Sequence, residues 1–142
     1  MIKLRPHHLL CLSRAYSKKG GWYNEKLFKH ANKICLIFEG NPELSIKIVK
    51  KCDDICQKCP NMENRVCKKK PKINYWIIVM DNKVLKKIKI NENSTHKIKD
   101  LFKLVLENID NKDLKEICRG CESLKYCLNQ GLNKKIISIS KK

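Results

Sequence analysis

The sequence predicts a small α+β domain that is predominantly helical. Its 142 residues are the size of one domain, and 42% of them are apolar, which is enough to form a packed core. Two observations predict the fold class. Several segments repeat apolar residues every three or four positions, as helices do, and only short segments alternate as strands do. We therefore expect a single domain over residues 1–142.

The first third of the chain predicts strand, helix and strand segments. Ile2–Leu12 is interrupted by a proline, so we expect a short strand or turn that leads into a helical turn. Trp22–Phe38 carries apolar residues at helical spacing, and the Gly-Asn-Pro sequence at 40–42 ends this helix. Ser45–Val49 alternates and predicts a short strand.

The rest of the chain predicts two long helices and a final strand. No regular structure is expected over Cys52–Cys67. Ile73–Ile88 has apolar residues at spacings of three and four, which favours a helix. A second helix is expected to run to Asn108 from a polar cap at residues 93–95, and Asp113–Ile117 predicts one further turn. The tail is expected to add a strand through its isoleucines, Ile136, Ile137 and Ile139.

The chain is strongly basic, with 32 Lys and Arg residues against 14 Asp and Glu and a net charge of +18. Twenty-eight of the basic residues are lysines, whereas nucleic-acid readers rely on arginine for bidentate contacts. We interpret the lysines as a solvated coat, with RNA or another acidic partner as the alternative. The longest apolar run, Tyr75–Met80, is too short to cross a bilayer, and the first residues lack the apolar stretch of a secretory signal. We therefore expect a cytoplasmic protein without membrane contact, whose thiols stay reduced.

Two similar cysteine segments are the strongest chemical signal. Each reads acid-Ile-Cys-x2-Cys and is followed by a third cysteine after seven or five further residues. A Cys-x2-Cys turn presents two thiolates on one side, so that one metal ion or cluster can bind both. The repeated spacing therefore predicts cysteine-ligated metal or cluster loops formed by Cys56, Cys59 and Cys67 and by Cys118, Cys121 and Cys127.

Other interpretations explain this pattern less well. Disulfides need an oxidising compartment, isolated buried thiols such as Cys35 do not repeat in pairs, and a thioredoxin-like site uses only two thiols. Structural zinc usually takes two pairs of ligands, whereas each segment offers three cysteines, as in [4Fe-4S] ligation. We expect one or two iron–sulfur clusters, with zinc as the alternative. The fourth ligand is left open between Cys11, Cys52, His7 and His8.

A second motif, Leu4-Arg5-Pro6-His7-His8-Leu9-Leu10-Cys11, lies near the start of the chain. Adjacent histidines point to different sides of an extended chain, so one of them is expected to ligate or to act as an acid or base, and the other to be structural. Arg5 is a candidate for binding an anionic substrate or for balancing thiolate charge. His7, His8 and Arg5 are thus possible accessory residues of the metal site.

Taken together, these motifs resemble a family of small prokaryotic proteins, domain of unknown function 1284, whose members are often labelled probable iron–sulfur-binding proteins. The resemblance covers about residues 2–128, and the tail over 129–142 is basic. It implies seven motif cysteines, Cys11 included, and it brings no reaction with it. The family often has an aromatic residue soon after the second Cys-x2-Cys, where this chain has Glu122-Ser123-Leu124 and only later Tyr126. The resemblance rests on Arg5-Pro6-His7-His8-Leu9-Leu10-Cys11, Asp53-Asp54-Ile55-Cys56-x2-Cys59-Pro60 with Cys67, Asp81-x2-Val84-Leu85, and Ile117-Cys118-x2-Cys121 with Cys127.

The sequence favours an iron–sulfur-cluster-binding protein with a redox or cluster-based role on an unknown substrate. The alternatives are a zinc-stabilised basic nucleic-acid-binding module and a cluster enzyme acting on RNA. Few arginines and 6% aromatic residues argue against recognition by base stacking, and whether the protein is an enzyme stays open. The acids beside the motifs, Asp53, Asp54, Glu116 and Asp81, are interpreted as caps of turns and helices rather than as general bases.

Overall fold

A three-stranded sheet near the start of the fold organises the molecule. In the computed structural model, which describes residues 1–14, 25–55, 62–63, 66–67, 73–121 and 124–142, the strands β1 (Ile2–Leu4), β2 (Ser45–Ile48) and β5 (Thr95–Lys97) form the sheet with β2 in the centre. β1 pairs with β2 in parallel, with Ile2 opposite Ile46, and β5 pairs with β2 antiparallel. A second, two-stranded sheet joins β3 (Met62–Glu63) to β4 (Val66–Cys67).

Helices make up most of the fold, so the predicted α+β class with a predominance of helix is confirmed. The helices are α1 (Pro6–Arg14), α2 (Glu25–Gly40), α3 (Ile73–Ile88), α4 (Ile98–Asn108), α5 (Asn111–Ile117), α6 (Leu124–Gln130) and α7 (Lys134–Ser140). None of the helices in the described ranges combines the length and the hydropathy that a membrane crossing requires.

The core forms where α1 and α4 meet their neighbours. α1 contacts α3, α4 and α6, and α4 contacts α7. The apolar stripe predicted for α4 is buried in full, since Ile98, Leu101, Phe102 and Val105 all face inward. Phe102 meets Phe38 of α2 edge to face, with ring centroids 6.1 Å apart, a geometry in which the positive ring edge faces the negative ring face.

The segment before α4 differs from the prediction of a helix cap. Thr95–Lys97 is the edge strand β5 and Lys97, which has no side-chain cap bond, precedes the helix. Ser94 instead donates its hydroxyl to the carbonyl of Asn91. The central strand β2 needs a second hydrogen-bonded neighbour, and pairing with β5 satisfies backbone groups that a longer helix would have left open.

The tail forms a helix, so the predicted strand is wrong. α7 buries Ile136 and Ile139, three residues apart on one helical face, against α4. Asn133 caps the helix by accepting the backbone N–H of Lys135, and its amide donates to the carbonyl of Leu12 at 3.1 Å. The cap and the buried face both stabilise a helix, although the β-branched isoleucines alone favoured a strand.

Candidate metal centre

The candidate site has two parts, a pair of histidines held by carboxylates and a group of cysteines. Helix α1 carries residues of both parts. Pro6 occupies its first position, where the missing N–H costs no helical hydrogen bond. His7, Cys11 and Arg14 follow at spacings of four and three, so they lie along one side of the helix, with His8 beside them. The two histidines, which the sequence predicted on opposite sides of an extended segment, instead share a helical turn.

Asp81 holds the first histidine. It lies within α3, fully buried, and not at a helix cap as the sequence predicted. Its Oδ1 accepts the backbone N–H of His7 at 3.1 Å and faces the ring Nδ1 of His7 at 2.7 Å, while its Oδ2 accepts Arg5 Nε at 2.9 Å. Arg5 is 1% exposed and also donates to the carbonyl of Lys50. Arg5 is therefore engaged by Asp81 rather than facing a substrate.

Asp53 holds the second histidine. Its Oδ2 accepts the backbone N–H of Arg5 at 2.7 Å and lies 2.6 Å from Nδ1 of His8, and its Oδ1 accepts the backbone N–H of Ile55 at 3.0 Å. The bond to Ile55 is a local turn contact, and the cysteine turn that Asp53 was predicted to cap lies outside the described residues. Because both oxygens accept backbone N–H groups, the carboxylate accepts from His8 as well, so Nδ1 of His8 is the donor.

The protonation of the first pair follows from its surroundings. Burial would raise the pKa of Asp81, but His7 and Arg5 outweigh burial and hold that pKa below its ordinary value. Burial, with His8 alongside, lowers the pKa of His7 below 6.5. At neutral pH a neutral His7 therefore donates from Nδ1 to an ionised Asp81, which leaves a lone pair on Nε2 of His7.

Four thiols form the second part of the site. Cys11 of α1 lies near Cys118, Cys121 and Cys127, and we call these four cysteines the thiol group. Burial raises the pKa of Cys11 well above 9, and each of the other three adds to the effect. Burial and neighbouring thiolates likewise raise the pKa of Cys118 to about 12 and that of Cys127 to about 11. The helices that carry these cysteines are also in contact, α1 with α6 and α5 with α6.

Arg14 places a positive charge beside the thiol group. It lies one helical turn after Cys11, is 7% exposed, and donates Nη1 to the side-chain oxygen of Asn111. Burial lowers the pKa of Arg14, while Cys127 and Cys118 act in the opposite direction. In return the guanidinium favours the thiolate forms of Cys118 and Cys127. Arg14, and not Arg5, is thus the cation whose charge favours ionisation of these thiols.

The second Cys-x2-Cys turn is built by the end of α5. Asp110 and Asp113 form a capping box at the start of that helix, and Cys118 ends it. The backbone N–H of Cys121 then donates to the carbonyl of Cys118 at 2.8 Å, which closes the turn. Gly120 has a φ of +85° within it, a conformation that only glycine adopts without strain.

Trp76 covers this turn and supplies an aromatic wall. A Cβ atom on Gly120 would lie 2.7 Å from Cζ3 of the Trp76 indole and closer still to Cη2, so the ring is in contact with the glycine. Trp76 lies in the first part of α3 and is half-exposed. The aromatic partner of the turn therefore comes from a residue 44 positions earlier in the numbering, between the two cysteine segments.

Gly120→Ala is expected to lower the free energy of unfolding by about 1–2 kcal/mol, because a left-handed conformation costs that much for a residue with a side chain. The new methyl group would also displace the Trp76 ring. Urea denaturation measures the first effect, and tryptophan fluorescence measures the second. Gly40→Ala, at a helix end where a Cβ meets nothing within 4 Å, is the control. Equal stability of the two variants would contradict this role for Gly120.

The remaining predicted ligands are only partly described. Cys56 and Cys59 lie outside the described residues, and Cys67 is placed only as part of β4. Cys35 is fully buried in the core, and Cys52 is partly buried. Among the side chains that the structure describes, no set of three or more His, Cys, Asp or Glu residues has the geometry of a metal site. The thiol group is thus a coupled cluster of thiols and not a closed cage.

Three residues of the site were missed or misassigned by sequence reasoning. Asp81 shares the buried face of α3 with Val84 and Ile88. An acidic residue in an apolar stripe indicates a buried basic or hydrogen-bonding partner, because an unpaired buried charge is costly. Arg14 extends the His7–Cys11 spacing by one helical turn. Trp76 carries no local signal, because its contact with Gly120 depends on the tertiary fold.

Comparison with protein-family models gives a match. The model of a family described as Protein of unknown function (DUF1284) matches residues 22–127, about three quarters of the chain. The matched range contains both Cys-x2-Cys segments and begins after the histidine motif. Searches of the curated proteins and of the solved structures gave no match.

Proposed function

Since the chain belongs to the DUF1284 family, which brings no known reaction, we propose from its site that it binds an iron–sulfur cluster of the [4Fe-4S] type. The observation that carries this proposal is the thiol group. Cys118, Cys121 and Cys127 each raise the pKa of Cys11, and Cys121 also raises the pKa values of Cys118 and Cys127, so α1, the turn after α5, and α6 bring these cysteines to one place.

The donor set fits an iron–sulfur cluster. Four cysteine thiolates are the usual ligands of a [4Fe-4S] cluster, three from a compact run and one from elsewhere in the chain. Cys118, Cys121 and Cys127 provide the run, and Cys11 is the distant fourth. Such a cluster, when bound, supplies one-electron transfer. The same four donors also suit structural zinc, and the experiment below separates the two metals.

The surroundings of the thiols support an anionic ligand set. Free thiols with pKa values near 11 and 12 are protonated at neutral pH, and a bound metal displaces those protons. Arg14 lies next to the resulting thiolates and offsets part of their charge. Cys118 and Cys127 are buried, while Cys11 and Cys121 are partly exposed, and solvent exposure is one of the factors that set the potential of a cluster.

Cys118→Ser is expected to remove the iron held by the thiol group. The protein is purified without oxygen, and its iron, acid-labile sulfide and zinc are measured per chain. The electron paramagnetic resonance spectrum of the reduced protein identifies the cluster type. We expect a brown wild-type protein whose colour bleaches on reduction, and a variant that lacks one cluster.

Cys35→Ala is the matched control, because Cys35 is buried in the core and lies outside the thiol group. It is expected to keep the full iron content. Far-ultraviolet circular dichroism verifies that both variants fold. A colourless wild-type protein with stoichiometric zinc would refute the iron–sulfur proposal, and loss of iron in Cys35→Ala would refute the ligand assignment.

A further inference from the structure

We propose that His7 and His8 form a second metal site, which binds one divalent first-row transition ion through their Nε2 atoms and is separate from the thiol group. The juxtaposition that carries the inference is two neighbouring imidazoles, each held at Nδ1 by a different buried carboxylate. The site does not depend on a cluster at the thiol group.

The pairing at Nδ1 is the arrangement found behind metal-binding histidines. A ligating histidine almost always donates its other ring N–H to a carboxylate or carbonyl, which fixes the tautomer and the ring orientation and makes the ligating nitrogen more basic. Asp81 does this for His7 at 2.7 Å, and Asp53 does it for His8 at 2.6 Å. Two independent carboxylates thus prepare two adjacent rings in the same way.

The second nitrogen of each ring is available. Within the described part of the chain, neither Nε2 atom forms a hydrogen bond. The His7 side chain is 10% exposed and that of His8 is 13% exposed, whereas both carboxylates are fully buried. Because the Nδ1 edges face those carboxylates, the exposed part of each ring includes the opposite edge, which carries Nε2.

The spacing of the rings suits a shared ion. Their centroids are 4.3 Å apart and their planes are tilted by 49°. Two imidazoles that bind one ion at about 2.0–2.1 Å through Nε2 come this close when the ligands lie at adjacent positions of the coordination sphere. The helical turn of α1 makes this possible, since an extended segment would turn the two side chains apart.

The local charge favours a cation. The carboxylates of Asp53 and Asp81 are fully buried behind the two rings, and Arg5 pairs with Asp81. A divalent ion at the two Nε2 atoms would therefore be separated from two buried carboxylates by one imidazole each.

The donor set also defines the ion. Imidazole nitrogen suits Zn²⁺, Fe²⁺, Ni²⁺ and Cu²⁺, whereas Mg²⁺ and Ca²⁺ prefer oxygen. Two protein ligands leave coordination positions for water or a substrate, so this would be an open site of the kind that catalytic metals occupy.

Cobalt(II) is the probe that separates the two sites. Co²⁺ bound by thiolates gives intense sulfur-to-cobalt charge-transfer bands, whereas Co²⁺ bound by imidazole and water gives only weak ligand-field bands. The anaerobically purified full-length protein is titrated with Co²⁺ in an absorption spectrometer, and bound cobalt is counted by equilibrium dialysis. We expect one equivalent of Co²⁺ per chain to give the weak bands. Any Co²⁺ bound by sulfur adds to this equivalent.

Substitutions test whether His7 and His8 bind the cobalt ion that gives the weak bands. His7→Gln and His8→Gln should each abolish it at Co²⁺ concentrations that saturate the wild-type protein. Asp53→Asn should weaken it by about 10–100-fold, the usual effect of removing a carboxylate behind a ligating histidine. His96→Gln is the control, because this imidazole bonds Ser94 through Nε2 on β5. Circular dichroism verifies folding, and His8→Gln, at the more exposed ring, is expected to fold if His7→Gln does not.

Failure of the histidine site can be distinguished from failure of the cluster proposal. Cys118→Ser should keep the equivalent with weak bands whether or not the wild-type protein holds iron. If the protein lacks a cluster, Co²⁺ occupies the thiol group with charge-transfer bands, and the histidine variants still remove only the other equivalent. A wild-type protein that binds cobalt only through sulfur, or weak bands that persist in both histidine variants, would overturn the proposal.

Discussion

Asp81→Asn is expected to lower the free energy of unfolding by about 3–5 kcal/mol, the usual cost of leaving a buried charge without its partner. The substitution keeps the shape of the side chain but removes the anion that binds Arg5 Nε at 2.9 Å and orients the ring of His7. Arg5 is almost fully buried, so water cannot replace the lost partner. Urea denaturation at neutral pH measures the effect.

The control is Glu43→Gln, which removes a paired carboxylate from the surface. Hydrogen bonds from Lys97 and Lys99 lower the pKa of Glu43 to about 2, yet these side chains lie in water, where ion pairs contribute little. The double variant Arg5→Met with Asp81→Leu should lose less stability than the sum of the two single changes, because it removes both charges together. A loss in Asp81→Asn as small as that in Glu43→Gln would contradict the buried pair.

Cys11→Ser is expected to remove as much iron as Cys118→Ser, although the two cysteines lie at opposite ends of the chain. The reason is that both belong to the thiol group, where Cys118 raises the pKa of Cys11. Iron and sulfide per chain are the measured quantities, again on protein purified without oxygen.

The double variant Cys11→Ser with Cys118→Ser tests whether the two residues serve one cluster. If they do, the double variant loses no more iron than either single variant, since a cluster lost once is not lost again. If the iron losses add, Cys11 ligates a different centre and the composition of the thiol group is wrong. Cys52→Ser, at a partly buried cysteine outside the group, shows how much iron depends on other thiols.

Local sequence patterns predicted the cysteine thiols of the site, but not the buried carboxylates that hold the histidines. Cys118 and Cys121 are recognisable because a Cys-x2-Cys turn is a short-range feature, and the amphipathic stripe of α4 is recognisable for the same reason. Asp81 and Asp53 act on α1 across 74 and 45 residues. No spacing within a single sequence encodes such a contact, so both were interpreted as local caps.

The errors in secondary structure have the same origin. Thr95–Lys97 becomes a strand because β2 needs a neighbour, and Ile136–Ile139 becomes helical because α4 offers a groove and Asn133 a cap. In both places tertiary partners override a weak local preference. The grouping of Cys11 with the second segment likewise depends on the contact between α1 and α6.

Helix α1 is synthesised well before the residues that contact it in the folded protein. His7 precedes Asp81 by 74 residues, and the carbonyl of Leu12 meets Asn133, which follows 121 residues later. At about 5–20 residues per second, a ribosome needs roughly 6–24 s to synthesise that interval. During this time α1 exposes its histidines and Cys11 without their partners. The contacts that hold His7 and Leu12 therefore form only well after α1 has been synthesised.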